Sequence, residues 1–177
     1  LINALKDVYN LQIAGTLQQQ SGVGSKINIH SGFEWGTDMV DGVPAVWVDG
    51  TPADAIEFSR VYFKESFDLV ISGVNWGGNL GAGVASSGTV GGAIRCLMGG
   101  MTDKAIAFSW DLPAKFFTMK HSGKDDLANY LEYPTAQILP LLEKALENDF
   151  WGASFLNINF PEKPATKVLM TQYISQL

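Results

Sequence analysis

The sequence predicts an α/β fold built on a doubly wound, largely parallel β-sheet with small β insertions. Short apolar runs of strand type alternate along the chain with segments whose apolar residues recur at helical spacing. One run, "DLVISGV" at residues 68–74, is apolar without alternation, as in strands covered on both faces of a parallel sheet. With 177 residues, 46% of them hydrophobic, the chain can bury a sizeable core, and we expect residues 1–177 to form a single domain.

The first 50 residues are predicted to contain one helix and three strands. Apolar residues at helical spacing begin the chain, and strand-like runs follow, separated by polar loops. A polar stretch rich in Gly and Asp precedes the third strand, which indicates a hairpin or loop insertion over residues 31–48. The expected elements are a helix at residues 1–8 and strands at residues 10–15, 27–30 and 43–48.

A second helix is predicted to open at Thr51. Threonine can cap a helix, Pro52 suits the first helical position, and Asp54 stands where an acid can reach back to the free amides. We therefore interpret Asp54 as a capping residue rather than a catalytic carboxylate.

The second half of the chain continues the alternation. A helix follows the glycine-rich stretch, because Val90, Ala93, Ile94 and Leu97 recur at helical spacing. Pro134 and Pro140 are expected to start, split or kink the last helix. The expected elements are strands at residues 104–110, 154–160 and 167–174, a helix at residues 127–146, and a loop at residues 113–126.

Composition and charge exclude several classes of partner. The net charge is −6 and only twelve Lys and Arg residues are present, which argues against a nucleic-acid polymer as ligand. No apolar run approaches the ~18 residues of a membrane span, so we expect no membrane association. Cys96, the single cysteine, excludes an internal disulfide and fits a reducing compartment, so we expect a cytoplasmic protein.

Ten of the nineteen glycines lie at residues 67–100, which contain the buried-type strand and the stretch directly after it. Asn75 is the first polar side chain beyond that strand, and Ser87 and Thr89 stand where the next helix begins. Helix N-termini offer unpaired amides to anions, and glycines let a ligand approach the backbone closely. This combination favours a phosphate or phosphoester site at the carboxyl end of the strand.

The familiar glycine motifs do not match this stretch. It contains no Gly-Lys-Ser/Thr, its glycines are not spaced as G-x-G-x-x-G, and no G-x-S-x-G is present. The residues alone also leave open a purely structural interpretation, in which the loop makes a tight crossing and the hydroxyl residues only cap a helix.

Four blocks carry a resemblance to a known family. They are "QQSGVGS" at residues 19–25, "GTPADA" at 50–55, "SGVNWGGNLGAGVASSGTVGGA" at 72–93 and "LNINFP" at 156–161. In their order and spacing they resemble the SurE family of metal-dependent nucleotidases, over nearly the whole chain. The resemblance implies a Rossmann-like, SurE-like fold.

The resemblance also implies a function. Family members hydrolyse nucleoside 5′- and often 3′-monophosphates and act as acid phosphatase-type phosphoric monoester hydrolases, with a divalent cation, usually Mg²⁺ or Mn²⁺. By this similarity Ser21 and Asn75 correspond to cation ligands, and Asn79, Ser87, Gly88 and Thr89 to positions that line the phosphate site. A homodimer or homotetramer is the usual assembly.

The family's acidic cation ligands have no counterpart in this sequence. They form an Asp-Asp pair within an N-terminal Asn-Asp-Asp-Gly motif, which does not occur here, and "GKDDL" at residues 123–127 stands in a different context. We therefore expect a chain shortened at both its N- and C-terminal ends, with little or no activity alone. Two alternatives stay open: a non-catalytic nucleotide- or phosphate-binding module, and a subunit whose glycine loop serves assembly only.

Overall fold

The computed structural model of the chain describes residues 1–112, 116 and 132–171. Within these residues the chain forms five α-helices, six β-strands and a 3₁₀ helix before the last strand. The helices are α1 (Ile2–Leu5), α2 (Pro52–Phe63), α3 (Gly83–Ser86), α4 (Gly88–Met98) and α5 (Thr135–Glu147), and the 3₁₀ helix is Asp149–Gly152. The strands are β1 (Ile13–Thr16), β2 (Trp35–Val40), β3 (Val43–Val48), β4 (Val70–Trp76), β5 (Ala105–Trp110) and β6 (Phe155–Phe160).

The strands form two three-stranded sheets in the orders β1-β3-β2 and β4-β5-β6. Every neighbouring pair is parallel except β2 with β3. That pair is a hairpin closed by Asp41 and Gly42, whose φ angles of 51° and 85° suit a tight two-residue turn. The predictions of a largely parallel sheet and of a small β insertion before residue 48 are therefore confirmed.

Strand β5 is covered on both faces, as expected for a doubly wound fold with helices on both sides of the sheet. All six of its residues are buried, and alternate side chains face opposite sides of the sheet. Ala105 and Ala107 pack against α4, whereas Ile106, Phe108 and Trp110 face a larger core on the other side. The residues that α1 and α5 contribute to this larger core are Leu5, Ile138, Leu142 and Ala145.

A cleft of about 670 Å³ separates β1 from β4. Residues of both strands line it, together with residues of α1, α2 and α4. In the described part of the chain β1 pairs only with β3, and β4 pairs only with β5. Each sheet therefore presents an unpaired edge to the cleft.

The predicted opening of α2 is confirmed as a capping box. The Asp54 N–H donates to the Thr51 hydroxyl over 3.1 Å, and the Thr51 N–H donates back to Asp54 Oδ2 over 2.8 Å. Pro52 is the first helical residue, as expected. Lys64 follows the helix with a φ of 57°, in the left-handed conformation common at helix ends.

Two predicted strands are wrong. Residues 27–30 form no strand, because the N–H of Asn28 donates to a carboxylate, Asp54 Oδ1, instead of to a neighbouring strand. Residues 167–171 are exposed and lie outside both sheets, and residues 172–174 lie beyond the described part.

The helix boundaries also differ from the predictions. Helix α1 ends at Leu5 rather than at residue 8. Helix α5 begins immediately after Pro134 and continues through Pro140, which removes one backbone donor without ending the helix. Residues 127–131 of the predicted helix, and residues 113–126 of the predicted loop apart from Phe116, lie outside the described residues.

Candidate functional site

A β-bulge in β4 precedes the first polar side chain of the candidate site. Ser72 pairs with Ala107 and Asn75 with Ser109, so two residues of β4 oppose the single Phe108 between them. Gly73 lies in the bulge with a φ of 124°, and a Cβ there would come within 2.3 Å of the Phe108 carbonyl oxygen. The bulge therefore requires glycine, and beyond it Asn75 lies near the carboxyl end of the strand.

The Asn75 amide is oriented by the backbone that follows it. Its Nδ2 donates to the carbonyl oxygens of Trp76 and Gly77, over 3.2 and 2.8 Å. This orientation leaves the carbonyl oxygen Oδ1 as the atom that a ligand can contact. A half-buried neutral oxygen of this kind is a hard ligand suited to Mg²⁺ or Mn²⁺.

Asn79 fastens the glycine loop, residues 77–82, to the ends of β5 and β6. Its side chain is 7% exposed, and its Nδ2 donates to Ser109 Oγ over 2.7 Å. Its own N–H donates to Asn159 Oδ1 and its carbonyl oxygen accepts from Asn157 Nδ2, both over 2.8 Å. The family resemblance assigns Asn79 to the phosphate site, and in the structure its side-chain amide nitrogen already donates to Ser109.

The N-terminus of α4 carries the remaining predicted phosphate residues. Ser87 caps the helix, and its Oγ accepts from the Val90 N–H over 3.1 Å, so the hydroxyl proton stays available to a ligand. Gly88 and Thr89 are the first two helical residues, and their amides have no acceptor within the helix. Ser87 and Gly88 are buried and Thr89 is half-buried.

The segment that carries Ser21, residues 17–28 (the Ser21 segment), packs directly on this helix terminus. The Gly24 N–H donates to the Ser86 carbonyl oxygen over 2.8 Å. A Cβ at Gly88 would lie 3.5 Å from the Gln20 carbonyl oxygen, which shows how closely the two segments approach. Ser21 itself is exposed, and its Oγ accepts a 3.3 Å hydrogen bond from the Gln19 side chain. The structure thus brings the Ser21 segment to the first turn of α4.

The oxygen ligands present are of the type that a hard cation prefers, but they carry no negative charge to balance it. Ser21 and Asn75 offer neutral oxygens. Among residues 1–112, 116 and 132–171, no group of three or more His, Cys, Asp and Glu side chains could hold a metal ion. Cys96 is no substitute, because burial raises the pKa of its thiol to about 12 and keeps it protonated. These residues therefore supply only part of a cation site.

Sequence reasoning missed the residues that hold the site in place. Asn157 and Asn159 belong to the "LNINFP" block but carry no predicted role, and the sequence pattern predicts none for Ser109 or Asn28. The spacing of "NIN" contained a signal, since residues two apart on a strand point to the same side and can act together. For Asn28 no local signal existed, because its partner lies 26 residues further along the chain.

The fold defines a Rossmann-like α/β protein in which a glycine-rich loop and the N-terminus of α4 follow the carboxyl end of β4. The family model described as "Survival protein SurE" matches residues 1–177, and the chain belongs to the SurE family. The predicted family and fold are thereby confirmed. None of the helices in the described ranges combines the length and apolar character needed to cross a bilayer.

Several relatives carry the name 5′-nucleotidase SurE. The protein of Methanopyrus kandleri is 32% identical over 163 residues, which cover 91% of this chain and 59% of the relative. That of Methanocaldococcus jannaschii is 33% identical over 168 residues, covering 92% and 60%. The crystal structure of the SurE protein from Aquifex aeolicus superposes with a TM-score of 0.66 at 26% identity, covering 91% of this chain and 59% of that one. The chain spans about three-fifths of the length of these relatives.

Proposed function

We propose that the protein containing this chain is a metal-dependent phosphomonoesterase that hydrolyses nucleoside 5′- and 3′-monophosphates to nucleoside and phosphate. The observation that carries the proposal is the packing of the Ser21 segment against the first turn of α4. This packing brings a segment with a candidate cation ligand to a helix terminus that suits a phosphate. Relatives named 5′-nucleotidase support the same reaction.

The N-terminus of α4 would bind the phosphate. The amides of Gly88 and Thr89 and the free proton of the Ser87 hydroxyl are donors of the kind that stabilise phosphate oxygens. The Thr89 hydroxyl adds another donor. Because the helix and its cap already fix these groups, they can stabilise charge that develops on the phosphoryl group without first reorganising.

Ser21 Oγ and Asn75 Oδ1 would hold a divalent cation, Mg²⁺ or Mn²⁺. When bound, such an ion neutralises phosphate charge and lowers the pKa of a coordinated water. Two neutral oxygens bind it weakly, and the described residues hold no group of three or more His, Cys, Asp and Glu side chains that could complete the site. We therefore propose that further acidic ligands come from outside the described residues.

We propose that the chain is one part of a longer domain, shortened at both ends, and that a preceding strand supplies these acids. Three features support a strand between β1 and β4: the cleft of about 670 Å³, the unpaired edge on each side, and Leu1 in the cleft lining. A strand parallel to β4 would end near Asn75, which suits carboxylates that share a cation with it.

Hydrolysis of p-nitrophenyl phosphate and of nucleoside monophosphates tests this function. We expect Mn²⁺-dependent activity in the full-length protein, loss of that activity with EDTA, and little activity in the 177-residue chain. Ser87→Ala should lower kcat/KM by about tenfold to a hundredfold, because it removes one hydrogen bond to a charged phosphate. Ser86→Ala is the matched control, since the exposed Ser86 Oγ bonds the Gly83 carbonyl oxygen and no other group in the described part of the chain. Equal rates in both chain lengths would overturn the role given to residues outside this chain.

A non-catalytic nucleotide- or phosphate-binding module is the second candidate. The lack of a cluster of acidic ligands among the described residues favours it. It predicts that the full-length protein binds nucleoside monophosphates, measured by calorimetry, without releasing phosphate in the presence of any divalent cation.

The proposed assembly follows the resemblance, and the proposed location follows the cysteine content. We propose a homodimer or homotetramer, which light scattering on the full-length protein tests. We also propose a cytoplasmic location, supported by the buried single thiol of Cys96.

A further inference from the structure

The Asp54 carboxylate makes more hydrogen bonds than its helix cap needs. It is 1% exposed, and one bond, from the Thr51 N–H to Oδ2, completes the capping box. Two further bonds come from Asn28. The Asn28 N–H donates to Oδ1 over 2.9 Å and its Nδ2 donates to Oδ2 over 2.6 Å.

Capping a helix with a buried carboxylate carries the free-energy cost of desolvating a charge. Burial alone would raise the pKa of Asp54, yet the bonds from Thr51 and Asn28 together outweigh it and leave the pKa below its ordinary value. The group is therefore ionised at neutral pH. A neutral Gln at the same position could complete a capping box without the cost of desolvating a charge. The charge strengthens the two bonds from Asn28.

Asn28 ends the segment that carries Ser21. That segment is attached at its start by the Leu17 N–H to the Val48 carbonyl oxygen, and in its middle by Gly24 to Ser86, each over 2.8 Å. Its end is attached to α2 by Asn28, and by the Thr51 hydroxyl, which donates to the Lys26 carbonyl oxygen over 2.5 Å. The bonds to α2 therefore keep Gly24 and its neighbours seated on α4.

We propose that Asp54, acting through Asn28, is a positioning residue that holds residues 20–26 on the first turns of α4 and so fixes Ser21 in the site. The inference rests on the proposed function, because it assigns Ser21 to the cation. It gives the acid of the "GTPADA" block a role beyond capping.

The test compares Asn28→Ala with Glu57→Gln in the full-length protein. Asn28→Ala removes the 2.6 Å bond to Asp54 and leaves the capping box intact. Glu57 lies one turn further along α2, and its carboxylate bonds Arg60 and Arg95 rather than the Ser21 segment. The control thus perturbs the attachment of α2 to α4 without touching the segment.

Four readouts separate positioning from general stability. Asn28→Ala should speed amide hydrogen exchange of residues 20–26 by about tenfold, as expected for one hydrogen bond to a charged group. It should raise the Mn²⁺ dissociation constant, measured by paramagnetic resonance of free Mn²⁺, and that of inorganic phosphate by about the same factor. Glu57→Gln should lower only the unfolding temperature. Asn28→Asp, which places a second carboxylate against Asp54, should exceed Asn28→Ala in every readout.

Two results would overturn the inference. One is unchanged exchange of residues 20–26 in Asn28→Ala; the other is faster exchange with Mn²⁺ and phosphate affinities equal to those of Glu57→Gln. Failure of the proposed function looks different, because the unsubstituted protein then shows no cation-dependent hydrolysis. In that case the exchange rates and the phosphate affinity still decide whether Asp54 positions the segment.

Discussion

Replacing Gly91 by alanine tests whether the Ser21 segment depends on close approach to α4. A Cβ at Gly91 would lie 2.7 Å from Ser25 Oγ, 2.8 Å from the Gly24 carbonyl oxygen and 2.9 Å from the Gly24 carbonyl carbon. The Ser25 side chain is exposed and can rotate away, but the Gly24 backbone cannot. The Gly24 backbone has to shift away from α4 by roughly half an ångström, since close-packed interiors leave no spare room.

The expected loss of stability is small, whereas the expected loss of activity is large. Alanine is favoured over glycine inside a helix by about 1 kcal/mol, and overpacking costs about 1–3 kcal/mol. A net loss of about 1 kcal/mol lowers the unfolding temperature by about 2–4 °C. Displacement of a catalytic group by about 1 Å costs about a hundredfold in rate, so we expect kcat/KM for a nucleoside monophosphate to fall by about tenfold or more.

Gly83→Ala is the matched control for this substitution. Gly83 begins the short helix α3, just before α4, and nothing lies within 4 Å of a Cβ there. Calorimetry and steady-state kinetics on the full-length protein should show both properties nearly unchanged in the control. If Gly91→Ala matched Gly83→Ala in both, the approach of Gly24 to α4 would not be what holds the Ser21 segment.

Three other outcomes follow from the structure. Gly73→Ala should cost more than about 3 kcal/mol, because it combines a positive φ with a Cβ 2.3 Å from a carbonyl oxygen; an unfolding temperature like that of Gly32→Ala, where space is open, would contradict this. Cys96, with a pKa of about 12, should resist iodoacetamide at pH 8 in the folded protein and react in denaturant, as mass spectrometry can show; rapid labelling of the folded form would contradict its burial. Because the folded pKa of Asp54 lies below its unfolded value, the stability it adds relative to Asp54→Asn is present above pH about 4 and is lost as the pH falls through the folded pKa. Urea unfolding at several pH values tests this sign, and a difference that grows towards acid would contradict it.

The sequence predicted best those features that depend on residues close together along the chain. The four residues that open α2 contain both partners of the capping box within one turn, so the pattern sufficed. The same holds for Ser87, whose acceptor role lies within the first turn of α4. The apolar run before the glycines correctly indicated a strand, β4, that pairs in parallel with β5. Its predicted burial on both faces is wrong, because β4 borders the cleft and none of its residues is buried.

Long-range partners explain most of what the sequence could not predict. "INIH" alternates like a strand, but its Asn28 amide binds a carboxylate that belongs to another element. Asn79 is predicted to line the phosphate site, but it forms hydrogen bonds with three residues of β5 and β6. No residue near Asn79 in the sequence indicates these bonds. The site assignments of Ser21, Asn75, Asn79, Gly88 and their neighbours stay predictions until a ligand is bound.

The fastening of Asn79 has a consequence for how this site can evolve. Glycine-rich loops are often mobile, but a single residue of this loop is hydrogen-bonded to the buried strand β5 and to its neighbour β6. Leu80 and Gly81, just past Asn79, are exposed. Substitutions or insertions at these exposed positions can therefore change which ligand the loop contacts, while the hydrogen bonds of Asn79 keep the rest of the loop, next to Asn75, in place.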